Sequence, residues 1–295
     1  MNGPDPLKQT LLDLHAILGS SIPLVLGGGY GLFLRQDDLQ RKGARTLFAA
    51  HVMPDNRTTQ DIDLILRTEV VVSDAGMRMV RHALDSLEFK PIPGNEYLQF
   101  SKAMQTAGEV KIDLMVGPLG DLFDAKTVKK DARRVRPRGF ASLHAHPLEE
   151  AVGVEEHLST ITLMGKRSDG KDHVAEVFVA QPFTYLLMKL LAFRDRVNDR
   201  AKDLARHHAL DIYRIVGLIT QEEDQLVRDM AAKHRNHPKV LEARAVVADS
   251  FSRPDALGIL RLREHPLAKK QAMIEQLIAE LTAILPPHPI DAAAP

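Results

Sequence analysis

The order of patterns along this chain of 295 residues predicts an α+β fold: a mixed sheet first, then a helical half. Three observations predict it. Short apolar, β-favouring runs are spread between Leu24 and Val179, and several read as hairpin pairs. Helical stretches are interleaved with them. From Pro182 onward helical spacing takes over as far as Leu285. Strands followed by helices divide the chain into a core over residues 1–180 and a helical domain over 181–285. The Pro/Ala-rich residues 286–295 are expected to form a flexible tail.

Each element has its own signal. Leu11, Leu12, Leu14, Ile17 and Leu18 give residues 7–18 an apolar helical face. Pro23 precedes a short buried strand, Leu24 to Leu26, and the glycines that follow form a turn into a helix starting at Tyr30. Residues 35–58 are polar and read as a loop or insertion around a short element at 46–53. A strand carries Asp61 and Asp63, and residues 76–87 look helical. Residues 97–102 and 109–116 read as paired strands joined at Thr106-Ala107-Gly108. Residues 117–150 are turn-rich and basic. A hairpin is expected around Ser168-Asp169-Gly170-Lys171, between runs at 161–164 and 174–179. Pro182 opens a helical region reaching about Ile219, with a break expected near Asn198, and two or three further helices fill 221–285.

Composition narrows the function. A hydrophobic content of 44% and a charged content of 26% are ordinary for a folded chain. Thirty-nine basic residues balance 39 acidic ones, so binding to nucleic acid must use a local patch. The lack of Cys excludes disulfides, thiolate metal sites and cysteine nucleophiles, and fits a cytoplasmic protein. Residues 1–6 lack the basic-then-apolar pattern of a secretion signal, and no apolar run is long enough for a membrane span.

The most telling residues are acids inside an apolar strand, Gln60-Asp61-Ile62-Asp63-Leu64-Ile65-Leu66. On a strand, residues i and i+2 share a face, so Asp61 and Asp63 project side by side. Two carboxylates held this close repel each other unless a cation lies between them. A third acid, Asp113, sits in a second apolar run, Lys111-Ile112-Asp113-Leu114-Met115. If the two strands are neighbours, three oxygen donors can hold one or two Mg²⁺ (or Mn²⁺) ions. The alternative is that these acids merely face solvent. Upstream, the turn at Gly27-Gly28-Gly29 opens a helix, a natural seat for phosphate.

Gly28-Gly29-Tyr30-Gly31, then Arg57-Thr58-Thr59-Gln60-Asp61-Ile62-Asp63-Leu64, then Asp113, together resemble the nucleotidyltransferase superfamily with its polymerase-β-like fold. Within it, the chain is most similar to AbiEii/MenT-type nucleotidyltransferases, the toxins of type IV toxin–antitoxin systems. The resemblance covers roughly residues 20–215. It implies that Asp61, Asp63 and Asp113 bind metal and that Asp113 helps activate an acceptor hydroxyl. It places Gly28 and Gly29 against the phosphates of an NTP, with Arg57 and Thr58 also in the nucleotide site. It further implies an RNA acceptor, the 3′ end of tRNA, and an antitoxin partner. The spacing between the glycines and the acids exceeds the usual pattern, which makes residues 35–56 an insertion.

Farther on, Lys189, Arg196, Arg200, Asp203, His207 and Asp211 fall within roughly 40° of one meridian if the helix is continuous. Such a stripe also fits a solvated face. Lys189, however, lies in the apolar run Tyr185-Leu186-Leu187-Met188-Lys189-Leu190-Leu191, where a charge needs a partner. The order Lys189, Arg196, Lys202-Asp203, Asp211 again resembles AbiEii-like chains. By that match Lys189 is a catalytic residue meeting the triphosphate, Asp203 orients Lys189 or contacts the nucleotide, and Arg196 or Arg200 adds positive charge. Asp211 is read as holding the helix pair together.

Between 126 and 138 stand Lys126, Lys129, Lys130, Arg133, Arg134, Arg136 and Arg138, against Asp131 alone. This segment is the candidate RNA contact, or else a solvated loop. It contains no aromatic residue, so base stacking is not indicated there. Two other functions compete. One is the same chemistry on a small molecule such as an antibiotic, with Asp37, Asp38 and Asp55 lining an acidic pocket. The other is a non-catalytic relative that binds a nucleotide or an antitoxin.

Overall fold

The computed structural model describes residues 5–55, 59–104 and 108–287. Arg57, Thr58, Thr106, Ala107 and the tail from 288 onward lie outside the described residues. The chain opens with α1 (Pro6–Leu18), β1 (Leu24–Leu26) and α2 (Gly28–Lys42). There follow β2 (Asp61–Leu66), α3 (Thr68–Val71), α4 (Asp74–Ser86), β3 (Lys90–Pro91), β4 (Gln99–Met104) and β5 (Gly108–Val116). A small hairpin, β6 (Val128–Lys130) and β7 (Val135–Pro137), precedes β8 (His146–Pro147), β9 (Ser159–Lys166) and β10 (Asp172–Val179). Helices complete the chain: α5 (Pro182–Arg196), α6 (Arg206–Gly217), α7 (Gln221–Lys233), α8 (Pro238–Ser250), α9 (Leu257–Arg263) and α10 (Ile274–Ile284). Among the described residues, no helix is long and apolar enough to cross a membrane.

The fold is therefore α+β with a mixed sheet, and contacts divide it into two compact units. The first holds Met1–Arg35, Thr58–Glu149 and Val154–Ala180; the second holds Gln36–Arg57, Glu150–Gly153 and Gln181–Pro295.

In the first unit the strand order is β3-β4-β5-β2-β1-β10-β9, with β8 also paired to β5. β2 runs parallel to β5 and antiparallel to β1, while β1 runs parallel to β10. Alternation explains these strands. In β5, Val110, Ile112, Leu114 and Val116 are buried, and the residues between them are not. Asp5 caps α1 by accepting the backbone N–H groups of Leu7 and Lys8 at 3.0 and 3.3 Å. That helix buries Leu7, Leu11, Leu14 and Leu18 over β9 and β10.

Two expectations are corrected. Residues 35–42 are not irregular, because α2 continues through them to Lys42. Their polarity is that of a helix laced by i,i+4 pairs, Arg41 with Asp37 at 2.9 Å and Lys42 with Asp38 at 2.6 Å. Gly43 ends the helix at φ +61°. The basic segment is likewise more than a loop, since β6 and β7 pair antiparallel within it over buried Val128 and Val135.

In the second unit, α5 and α6 pack together, joined by a 3₁₀ stretch over Arg200–Ala205. Asp203, Leu204 and Ala205 there have φ of 56°, 51° and 59°. Three successive left-handed residues end helical continuation, so the single charged meridian is not formed. Four helices, α7 to α10, follow α6 where two or three were expected.

Candidate active site

The acids are brought together by strand register. In the parallel β2–β5 pair, Asp63 lies opposite Asp113 and Asp61 lies opposite Lys111. Paired residues share a face, so Asp61, Asp63 and Asp113 project from the same side of the sheet. Behind them Ile62, Leu64, Ile112 and Leu114 are buried, which fixes the register: a slip of one residue would bury the acids.

The next neighbour is the glycine turn. Gly27 donates its N–H to the Asp63 carbonyl at 2.8 Å. Gly28, the first residue of α2, has φ +59°, and a Cβ there would stand 1.5 Å from Asp63 Oδ2. Only glycine fits this position, because the Asp63 carboxylate lies directly against it. The carboxylate thus sits at the partly positive end of a helix. Gly29 follows in the first turn of α2.

Electrostatics distinguish the third acid. Burial raises the Asp113 pKa to about 6, and the neighbouring charges of Asp63 and Asp61 push in the same direction. A hydrogen bond from Gln99 and the positive charge of Lys111 pull partly the other way. Gln99 is the Asp113 partner across β4 and β5. Lys111 and Gln99 are thus part of this face. Lys111 could have been found from its alternation with Asp113, whereas Gln99 needed the register.

The donor set suits a hard divalent cation: carboxylate oxygens only, crowded enough that protonation of one relieves repulsion. Among the described residues, no three His, Asp or Glu side chains gather as they lie into a group that could hold an ion. The fit to Mg²⁺ or Mn²⁺ therefore rests on register and charge.

Lys189, Arg196, Arg200 and Asp203 belong to the second unit. Lys189 is buried in α5, and its Nζ is 2.8 Å from Oδ2 of Asp211 on α6. Asp211, fully buried, also meets Arg214 at 3.4 Å. Arg214 donates to Gln36 Oε1 at 3.0 and 2.9 Å. Asp203 does not orient Lys189; it pairs with Arg206 and stands 3.5 Å from His207. The left-handed backbone at 203–205 turns it into its own local cluster. Asp211 takes that role and does join the helix pair. Arg196 reaches His208 at 2.6 Å, and Arg200 is exposed at the start of the 3₁₀ stretch.

The acids considered for a cationic small molecule are already paired: Asp37 with Arg41, Asp38 with Lys42, and Asp55 with Lys269 at 2.9 Å. A scan against protein-family models and a search of curated proteins find no match for this chain.

Proposed function

We propose that this protein is a nucleotidyltransferase with a polymerase-β-like core, moving a nucleoside monophosphate from an NTP to an acceptor hydroxyl. One observation carries the reading: Asp63 and Asp113 are register partners on parallel strands, Asp61 shares their face, and Gly28 lies against Asp63. Asp61, Asp63 and Asp113 would hold Mg²⁺ or Mn²⁺, which when bound neutralises phosphate charge and polarises the reacting centre.

The protein's own groups do the rest. Asp113, on the same face as Asp61 and Asp63, is placed to take the proton from the acceptor hydroxyl. The hydroxyl oxygen then bonds to the α-phosphorus, and the bond to the β-phosphate bridging oxygen breaks, releasing pyrophosphate. The first turn of α2, which Gly28 opens, offers backbone N–H groups on which phosphate oxygens would rest. Arg57, Thr58, Lys189, Arg196, Arg200 and Asp203 enter this reading from the resemblance alone.

The acceptor we propose is RNA, the 3′ end of tRNA, met by the basic segment 126–138. In a cell such an activity blocks translation, which makes the protein a toxin held in check by an antitoxin. The test is a labelling reaction with Mg²⁺, total tRNA and each of the four α-labelled NTPs in turn. Label entering tRNA with the native protein, and none with Asp61→Ala/Asp63→Ala, is the expected result. Equal labelling by both proteins, or none by the native one, would overturn the proposal.

A further inference from the structure

A cavity of about 250 Å³ in the first unit is lined by Tyr97, Lys129, Asp131, Arg134, Arg136 and His144, among others. Its walls come from segments far apart in sequence. The Tyr97 carbonyl accepts the His144 N–H at 2.9 Å, and their rings stack at 4.7 Å with 20° between planes. His144 covers one side of the tyrosine ring, yet Tyr97 remains 41% exposed. The Arg134 guanidinium stands 5.8 Å from the same ring.

Charge in this cavity is unbalanced. Three cations line the cavity with one acid, Asp131. Its carboxylate is engaged by the backbone N–H groups of Arg133 and Arg134 at 2.8 and 3.0 Å and is also attracted by Arg134 and Lys129. Glu96, outside the lining, acts on Arg134 as well. Neither Lys129 nor Arg134 forms a side-chain ion pair among the described residues, whereas Lys130 outside the cavity pairs with Glu149 at 2.5 Å.

His144 adds an independent observation. It is 7% exposed, and its Nε2 is 3.1 Å from the Ala141 carbonyl, so in the neutral ring that nitrogen carries the proton. Burial, Arg136 and Arg134 lower its pKa to about 4, which keeps the ring neutral. Nδ1 is then a bare acceptor, closed from solvent and without a partner. A ligand for this cavity combines negative charge and a flat ring.

We infer that the cavity holds one nucleotide of a single-stranded RNA, with the base on Tyr97 and the adjoining phosphate on Lys129, Arg134 and Arg136. A duplex keeps its bases stacked inside and offers Tyr97 no face, whereas a single strand does. The position suits an acceptor strand, an assignment that rests on the nucleotidyl-transfer reading. Tyr97 is two residues from Gln99, whose side chain bonds Asp113. The missing aromatic of the basic segment is thus supplied from the turn before β4.

The test is fluorescence anisotropy with a labelled ten-nucleotide single-stranded RNA, its duplex form, and heparin as a base-free polyanion, with no NTP present. Tyr97→Ala should weaken single-strand binding about tenfold, from the loss of one stacking contact. Tyr97→Phe should restore it, and heparin binding should not change in either variant. Arg134→Ala should weaken both RNA and heparin, and lower the salt slope for the single strand by about 0.7. Equal binding of single-stranded RNA by Tyr97→Ala and the native protein would overturn the inference. So would parallel losses of RNA and heparin in Tyr97→Ala, or duplex binding as tight as single-strand binding. Displacement of the RNA by polyglutamate at equal charge concentration would mark a site for an acidic protein and overturn it too. If RNA binds as described but no NTP label is transferred, the transfer reading fails and this site stands. If label enters RNA and Tyr97→Ala leaves binding unchanged, the site fails and the transfer reading stands.

Discussion

On the β2–β5 face, three carboxylates share one side of a sheet, with Lys111 beside them and water within reach. In the second unit, buried Asp211 lies between Lys189 and Arg214, and the Gln36 side chain also accepts from Arg214. Both clusters place charge on apolar elements, but they do opposite things to stability. Like charges gathered on a sheet raise the free energy of the folded state, which makes this face a candidate for binding or catalysis. Opposite charges buried together are costly to separate, and they hold α5 to α6. Charge left uncompensated marks the candidate for chemistry; compensated charge marks structure.

The comparison breaks most readily on the buried side. Asp211→Ala should destabilise the protein by about 3–5 kcal/mol, because Lys189 is left buried without its ion pair and Arg214 loses a charged partner. Urea unfolding measures this, and a loss below about 1 kcal/mol would show that the network is not structural. Next comes Asp63→Ala, which should cut nucleotidyl transfer at least about a hundredfold while the melting temperature holds or rises. A variant that is fully active would detach Asp63 from the chemistry. Gly28→Ala should cost about 1–2 kcal/mol from its left-handed backbone, and more as the new methyl displaces the Asp63 carboxylate. Thermal unfolding together with the transfer rate reads both effects, and a neutral outcome in both would refute the close contact.

The smallest effect carries a sign. Asp113 binds its proton more tightly when folded than when unfolded, so its contribution is present at low pH. It is lost as pH rises from the ordinary aspartate range through about 6. In the absence of divalent cations, Asp113→Asn should therefore be more stable than the native protein at pH 8, on the order of 1 kcal/mol after discounting for solvent screening. The gain should vanish near pH 4. A variant no more stable at pH 8 than at pH 4, relative to the native protein, would contradict the like-charge account.

The acid face was legible because local alternation predicts it. Asp61 and Asp63 must share a side, and Ile112 and Leu114 flank Asp113 in the same way. What could not be read was pairing across distance. Nothing in the segment 126–138 signals Tyr97; Asp211 was read as holding the helix pair together, but that it, and not Asp203, pairs with Lys189 needed the structure. The α5–α6 break was expected near Asn198, but its form was not, since Asp203, Leu204 and Ala205 adopt left-handed backbone without a glycine. Residues 35–42 were misread because polarity was taken for irregularity, when the charges were spaced as helical ion pairs.

The central claim is that the three acids on one sheet face form a divalent-cation site. Its most direct test is Mn²⁺ binding followed by electron paramagnetic resonance, for the native protein and for Asp61→Asn/Asp63→Asn, with thermal melts confirming that both are folded. The account predicts that the native protein quenches the free Mn²⁺ signal and that the variant loses this binding. Equal Mn²⁺ binding by both proteins would contradict it.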